Sequence, residues 1–208
     1  MLQILRLIPL LFLAACKPAQ VQKGITTVAI QPIGTITKVE INVASKALDS
    51  VYHIKVVVLA PVEPPSSAFI NVKTPRYRAD KLIAWLAERK PDSADYIIGL
   101  TGLDISTTKT DGLGRTLEPK SRYTDFGIFG LGYCPGKSCI VSSFRLGTDK
   151  ALAQSRLAKI AVHEFGHNLG LPHCKNESCV MADAVEKITT IDAEGIMPCA
   201  KCKRQLGL

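Results

Sequence analysis

The sequence predicts one mixed α/β domain of the α+β kind, in which helices pack on a twisted sheet, with a small cysteine-rich piece at the C-terminus. Three observations predict it. The length of 208 residues is that of an ordinary single domain. Strand-like and helix-like segments alternate over the first half and then give way to a meander of strands. The segment after residue 170 has little periodicity but holds four of the seven cysteines.

Apolar periodicity defines the elements of the first half. Runs at 27–33 and 53–60 have the length and the β-branched character of strands. Between them, apolar residues recur at helical spacing over 38–52. A second helix begins after Pro75 and ends near Pro91, with one apolar face formed by Ala79, Leu82, Ile83 and Leu86.

Three more strands and one long helix follow. The strand candidates are 95–101, 125–133 and 140–146, and a polar loop at about 106–122 separates the first two. The third helix begins with Thr148 as N-cap and runs to Leu169, where Gly170 and Pro172 end it. We therefore expect an upper subdomain, 27–170, and a cysteine-rich lower subdomain, 171–208.

The first fifteen residues predict a signal peptide. They carry one charge, Arg6, and their apolar run is too short to span a bilayer of about 30 Å. The run ends in Leu-Ala-Ala-Cys16, which resembles a bacterial lipobox in which the cysteine becomes the lipidated first residue. An ordinary secretory signal that happens to precede a cysteine is the alternative.

The residues after the lipobox predict where the protein is held. Residues 16–26 are polar and aperiodic, as expected of a tether between a lipid anchor and a folded domain. Lys17, where inner-membrane lipoproteins have Asp, indicates sorting to the outer membrane. We therefore expect a cell-envelope protein that is lipid-anchored, faces the periplasm and is a monomer.

The composition excludes some function classes. Hydrophobic residues make up 47% and charged residues 21% of the chain, which excludes a disordered tail. The net charge of +8 invites a nucleic-acid interpretation. Because no run of basic residues is interleaved with aromatics, we expect no nucleic-acid partner.

The third helix carries the strongest chemical signal, His163-Glu164-Phe165-Gly166-His167. The two histidines are four residues apart, so their rings project from one helix face and can bind one ion. Neutral imidazoles suit zinc, and Glu164 is placed beside them as a base for a water molecule.

A third ligand comes after the helix. Gly170 permits a sharp turn that returns His173 to the pair. Three protein ligands leave a fourth position for water, which is the arrangement of catalytic rather than structural zinc. A structural zinc without chemistry is the alternative, but it would have no need of Glu164.

Four cysteines next to this motif predict a second metal site. Their spacing can close a four-sulfur tetrahedron, which would stabilise a segment with little periodicity of its own; they are Cys174, Cys179, Cys199 and Cys202. Because thiols are readily oxidised in the periplasm, disulfides 174/179 and 199/202 are the alternative. Cys134 and Cys139 flank a turn, and we expect a disulfide between them, with two free thiols as the alternative.

The stretch 163–202 resembles the archaemetzincin signature: HExxHxxGxxHC, four residues, Cys-Val-Met, seventeen residues, then CxxC. The resemblance implies a metzincin-like fold, in which His163, His167 and His173 bind the catalytic zinc and Glu164 is the catalytic base. It implies that the four C-terminal cysteines bind a structural zinc, the second of two Zn²⁺ ions. It also implies that Met181 is the Met-turn residue below the catalytic metal.

Zinc-dependent hydrolysis of peptide or protein substrates is therefore the expected activity, whether as an endoprotease or as an aminopeptidase. The 125–133 segment is glycine-rich and is expected to form the upper edge of the cleft, or alternatively to pack tightly on the third helix. A zinc-stabilised envelope lipoprotein that binds partners without turnover is the second hypothesis. A thiol oxidoreductase built on Cys199 and Cys202 is disfavoured, because no strand-to-helix setting precedes this pair.

Overall fold

The computed structural model describes residues 26–183 and 187–208. In chain order, the strands are β1 (Thr27–Ile33), β2 (Lys55–Val58), β3 (Phe69–Asn71), β4 (Pro75–Arg78), β5 (Tyr96–Thr101), β6 (Ile105–Thr107), β7 (Phe126–Ile128), β8 (Gly130–Gly132) and β9 (Ser138–Ser142). The helices are α1 (Lys38–Tyr52), α2 (Ala79–Arg89), α3 (Lys120–Tyr123), α4 (Lys150–Asn168), α5 (Ile188–Ala193) and α6 (Ala200–Leu206).

A mixed sheet of five strands, in the order β2-β1-β5-β9-β8, forms the centre of the fold. The first four strands of that order are parallel, and β8 is antiparallel to β9 at the sheet edge. A second sheet, in the order β3-β4-β6-β7, is formed by chain segments that connect strands of the main sheet. The predicted mixed α/β sheet is confirmed.

The central strands of the main sheet, β1, β5 and β9, are buried on both faces because alternate side chains enter two different cores. In β5, Ile98 packs with α1 and α4, whereas its neighbour Ile97 packs with α2. The same alternation places Val141 and Ile140 of β9 in opposite cores. Helix α4 is therefore held against the sheet from Leu157 onward, which fixes the metal-binding motif at its C-terminal end.

Several predicted elements need correction. The predicted strand 125–133 is two strands in different sheets, since β7 pairs with β6 and β8 pairs with β9. The N-cap of α4 is Asp149 rather than Thr148, and its carboxylate accepts a hydrogen bond from the Leu152 N–H at 2.9 Å. The cysteine-rich segment after residue 170, expected to be irregular, contains α5 and α6.

The predicted signal peptide 1–15, Cys16 and the tether up to residue 25 lie outside the described residues. Within the part of the chain that the structure describes, no helix is both long and apolar enough to cross a membrane. The division of 27–208 into upper and lower subdomains stays a prediction.

Candidate metal centres and active site

The end of α4 brings three histidines together. His163 and His167 lie on the final turns of the helix, and Gly170, with φ of 93°, reverses the chain behind them. The N–H groups of Gly170 and Leu171 satisfy the last helical carbonyls, as in a Schellman cap. The reversal returns His173, so that the donor atoms of the three rings all lie within 4.8 Å of one another.

The hydrogen bonds of these rings leave the nitrogens that a metal needs. His163 Nδ1 donates to the Val180 carbonyl and His167 Nδ1 donates to the Leu171 carbonyl, each at 2.7 Å. A carbonyl only accepts, so the proton is on Nδ1 and Nε2 keeps its lone pair. Burial lowers the pKa of His163 to about 3 and also lowers that of His167, so both rings are neutral. This donor set fits zinc.

Glu164 lies between the helix and the edge strand β8. Its side chain is almost fully buried, and it accepts a hydrogen bond from the Gly132 N–H. Burial raises the pKa of Glu164 to about 8. A Cβ atom at Gly130 would stand 2.7 Å from Glu164 Cγ, so the glycines of β8 are required by close contact with this carboxylate.

Met181 packs against the end of α4, next to the histidines. It is fully buried against Gly166, the residue of the motif that precedes His167, and a side chain at position 166 would overlap the Met181 sulfur. The Met181 carbonyl accepts a hydrogen bond from the Cys174 N–H at 2.7 Å. The turn below the histidines is thereby tied to the residue that follows His173.

The four C-terminal cysteines converge as a second group. Their sulfur atoms all lie within 4.8 Å of one another, and the pairs Cys174–Cys199 and Cys179–Cys202 are 3.8 Å apart. Sulfurs bound at about 2.3 Å to one tetrahedral zinc stand about 3.8 Å apart. The four are thiols rather than disulfides. The Cys199 N–H donates to Cys179 Sγ, and hydrogen bonding from the Cys202 backbone lowers the pKa of Cys199 to about 6, both favourable for thiolate ligands.

The predicted Cys134–Cys139 disulfide is not formed in the structure, where both residues are thiols. Cys139 pairs across the β8–β9 hairpin with Gly132, not with Cys134. Its thiol points into the core, where burial raises its pKa well above its ordinary value. Cys134 instead lines the cleft.

A cleft of about 840 Å³ opens beside the three histidines and Glu164. The three histidines, Glu164 and the edge strand β8 line it, as do residues that the sequence analysis did not single out as site residues: Thr107, Lys109, Asp183, Ile188, Ile191 and Glu194. Asp183 Oδ2 lies 3.6 Å from His173 Nδ1. Its position only two residues after Met181 could have indicated from the sequence that it lies near the site. Nothing in the local sequence marked Glu194.

Comparisons with known proteins agree with this site. The model of Peptidase family M54 matches residues 36–207. An archaemetzincin of Haloquadratum walsbyi is 31% identical over 189 residues, which cover 86% of this chain and 98% of that protein. One of Halobacterium salinarum is 29% identical over 187 residues, covering 85% of this chain and 97% of that protein.

Solved structures extend the likeness to the fold. The archaemetzincin of Methanopyrus kandleri aligns with a TM-score of 0.71 at 26% identity, covering 90% of this chain and 97% of that one. The predicted metzincin-like fold and the archaemetzincin resemblance are thus confirmed. The chain belongs to peptidase family M54, the archaemetzincins, and is a zinc-dependent metallopeptidase.

Proposed function

We propose that this chain hydrolyses peptide bonds at a zinc ion held by His163, His167 and His173, with Glu164 as the base. The observation that carries the proposal is the convergence of three imidazoles beside a buried carboxylate, at the end of α4 and just beyond it. Three protein ligands would leave a coordination position for a water molecule or a substrate oxygen.

Zinc, when bound, supplies Lewis-acid activation of the attacking water and of the substrate carbonyl. With the positive charge of the bound ion keeping its carboxylate ionised, Glu164 would accept the proton from the attacking water and deliver it to the departing amine. The Gly132 N–H holds the carboxylate in place, and the surrounding protein excludes competing water. His163 and His167 are held in the ligand tautomer by the carbonyls of Val180 and Leu171.

We propose a second, structural zinc at Cys174, Cys179, Cys199 and Cys202. Cys174 directly follows His173, and its N–H bonds to the Met181 carbonyl. An ion fixed at the sulfurs therefore also fixes the third histidine and the turn that holds Met181. The 3.8 Å sulfur separations support this proposal.

The edge strand β8 is suited to bind an extended peptide substrate. It has β9 as its partner on one side, while its other edge lines the cleft above Glu164. A peptide that adds to this edge places its backbone carbonyl close to the histidines.

We also propose that the mature protein, 16–208, is a monomer held by acylated Cys16 in the outer membrane and facing the periplasm. The leader, the lipobox and Lys17 support this location. Metabolic labelling with a fatty acid in a Gram-negative host tests it: label and membrane recovery should both be lost in Cys16→Ala. Sedimentation of the soluble 17–208 protein tests whether it is a monomer in solution.

The activity is tested on the soluble 17–208 protein with a peptide library and elemental analysis. We expect two zinc ions per chain, chelator-sensitive cleavage and, in Glu164→Gln, retained zinc with at least about a hundredfold loss of kcat. The exposed Glu88→Gln is the matched control and should keep full activity. Two zinc ions without any cleavage would favour the partner-binding lipoprotein, and undiminished turnover in Glu164→Gln would reject the base.

A further inference from the structure

The cleft continues past the histidines into a corner between α4 and α5. Ile160 is three residues before His163, so it lies one helical turn, about 5 Å, along the same face. Ile188, Ile191 and Glu194 follow one another at intervals of three along α5 and its C-cap. All four side chains line the cleft. The corner therefore has three branched apolar walls and one carboxyl group.

Glu194 is unusual among these residues because it is buried without a partner. Its side chain is 5% exposed, and Oε2 has no hydrogen-bond donor among the described residues. A buried polar atom without a partner costs about 1–3 kcal/mol, so such groups are uncommon in folded proteins. Burial accordingly raises the pKa of Glu194 to about 8, against the opposing effect of Lys159.

The two cationic side chains at this junction, Lys159 and Arg156, make their hydrogen bonds to other groups. Lys159 Nζ donates to the carbonyls of Ile191 and Asp192, at 2.7 and 3.3 Å. Arg156 makes two hydrogen bonds to the Asp192 carboxylate, at 2.7 and 2.6 Å. Arg156 thus matches the Asp192 carboxylate, whereas Lys159 acts on Glu194 through its charge without a hydrogen bond to it. Glu194 Oε2 is therefore left without a donor at the edge of the cleft.

We propose that Glu194 selects a substrate side chain that ends in a cation, lysine or arginine, near the scissile bond. The proposal rests on the proposed peptidase function. The methylene stem of such a side chain suits walls of isoleucine, and its charged end supplies the partner that the carboxylate lacks. A neutral side chain of the same length leaves the carboxyl group buried and unpaired, which is how a polar pocket rejects an apolar substrate.

The first test compares matched peptides. At each position beside the scissile bond, lysine is exchanged for norleucine and arginine for citrulline, and kcat/KM is measured for the zinc-loaded 17–208 protein. We expect one position at which the cationic residue is favoured at least about tenfold, with the preference lost in Glu194→Gln and kept in the exposed Glu88→Gln. The absence of any such position, or a preference that survives Glu194→Gln, would overturn the proposal.

The second test measures binding without turnover. Zinc-loaded Glu164→Gln protein is titrated by calorimetry with the lysine and norleucine peptides, and the double variant Glu164→Gln/Glu194→Gln serves as comparison. The lysine peptide should bind about tenfold more tightly, and only when Glu194 is present. If the wild-type protein cleaves no peptide, the proposed hydrolysis fails while this ratio still decides the role of Glu194. Equal affinities would overturn the selection by Glu194 and leave the hydrolysis intact.

Discussion

Gly130 and Glu164 are in such close contact that a Cβ atom at position 130 would stand 2.7 Å from both Cγ and Oε1 of the carboxylate. The edge strand and the base thus position each other. The glycines of β8 result from contact with Glu164, since only a residue without a side chain lets this strand lie directly over the base.

Gly130→Ala is expected to displace Glu164 without removing zinc. Because a 1 Å misplacement of a reacting group can cost about a hundredfold, we expect kcat/KM to fall by one to two orders of magnitude, as measured on a peptide library. Gly112→Ala is the matched control, since a Cβ there meets nothing within 4 Å. Full activity in Gly130→Ala would show that the carboxylate does not need this position.

Cys202→Ser is expected to lower the zinc content from two ions to one and to reduce activity, although Cys202 lies outside the cleft lining. The loss is expected because the sulfur site holds Cys174, and through it His173. Elemental analysis measures the zinc content, and cleavage of the peptide library measures the activity. Cys134→Ser, outside the cluster, should keep both ions; one ion in that control would refute the assignment of ligands.

Glu194 should make the stability of the protein depend on pH. Its pKa in the folded state is about 8, against its ordinary value of 4.5. Between these values the folded state binds more protons, so the free energy of unfolding falls as pH rises. Relative to Glu194→Gln, the wild type should lose up to about 1.4 kcal/mol per pH unit in this window. Urea unfolding from pH 5 to 8 measures the difference, and parallel curves would contradict the prediction.

Asp104 should be important for stability. It accepts hydrogen bonds from Arg76 at 2.8 Å and from two nitrogens of Arg145 at 2.7 Å, and its side chain is only 5% exposed. Asp104→Asn removes the carboxylate that Arg145 binds and leaves Arg76 paired with Asp125 at 3.3 Å, and we expect a loss of about 3–5 kcal/mol in urea unfolding.

The exposed pair of Asp111 and Arg115 provides the control for that prediction. The Arg115 side chain is 73% exposed, so Asp111→Asn should leave the urea midpoint of unfolding almost unchanged. Equal losses in the two variants would mean that burial does not distinguish these ion pairs.

The features that the sequence predicted well were local. The bounds of α1 were obtained from apolar spacing, and its start is fixed by a capping box between Thr37 and Glu40. The HExxH motif and the turn at Gly170 were likewise readable, because a helix face and a positive φ are properties of a few consecutive residues.

The features that the sequence did not reveal depend on distant partners. The segment 125–133 divides at Phe129 because its two halves pair with strands from different parts of the chain. Cys139 points away from Cys134 because its register with Gly132 turns the thiol into the core. Glu194 joins the cleft only because α5 packs on α4, and nothing within five residues of it indicates that contact.

The position of β8 at the sheet edge has a consequence for which proteins can be cut. A chain that pairs there must present consecutive main-chain N–H and C=O groups that are not already bonded to its own helix or sheet. Under the proposed addition of the substrate to β8, folded targets would have to unfold locally before cleavage, and a proline beside the scissile bond would remove one main-chain hydrogen bond to the strand. Binding at this edge would make the enzyme selective for the backbone conformation of its substrate as well as for its side chains. It would then be most active on tails, linkers and damaged proteins.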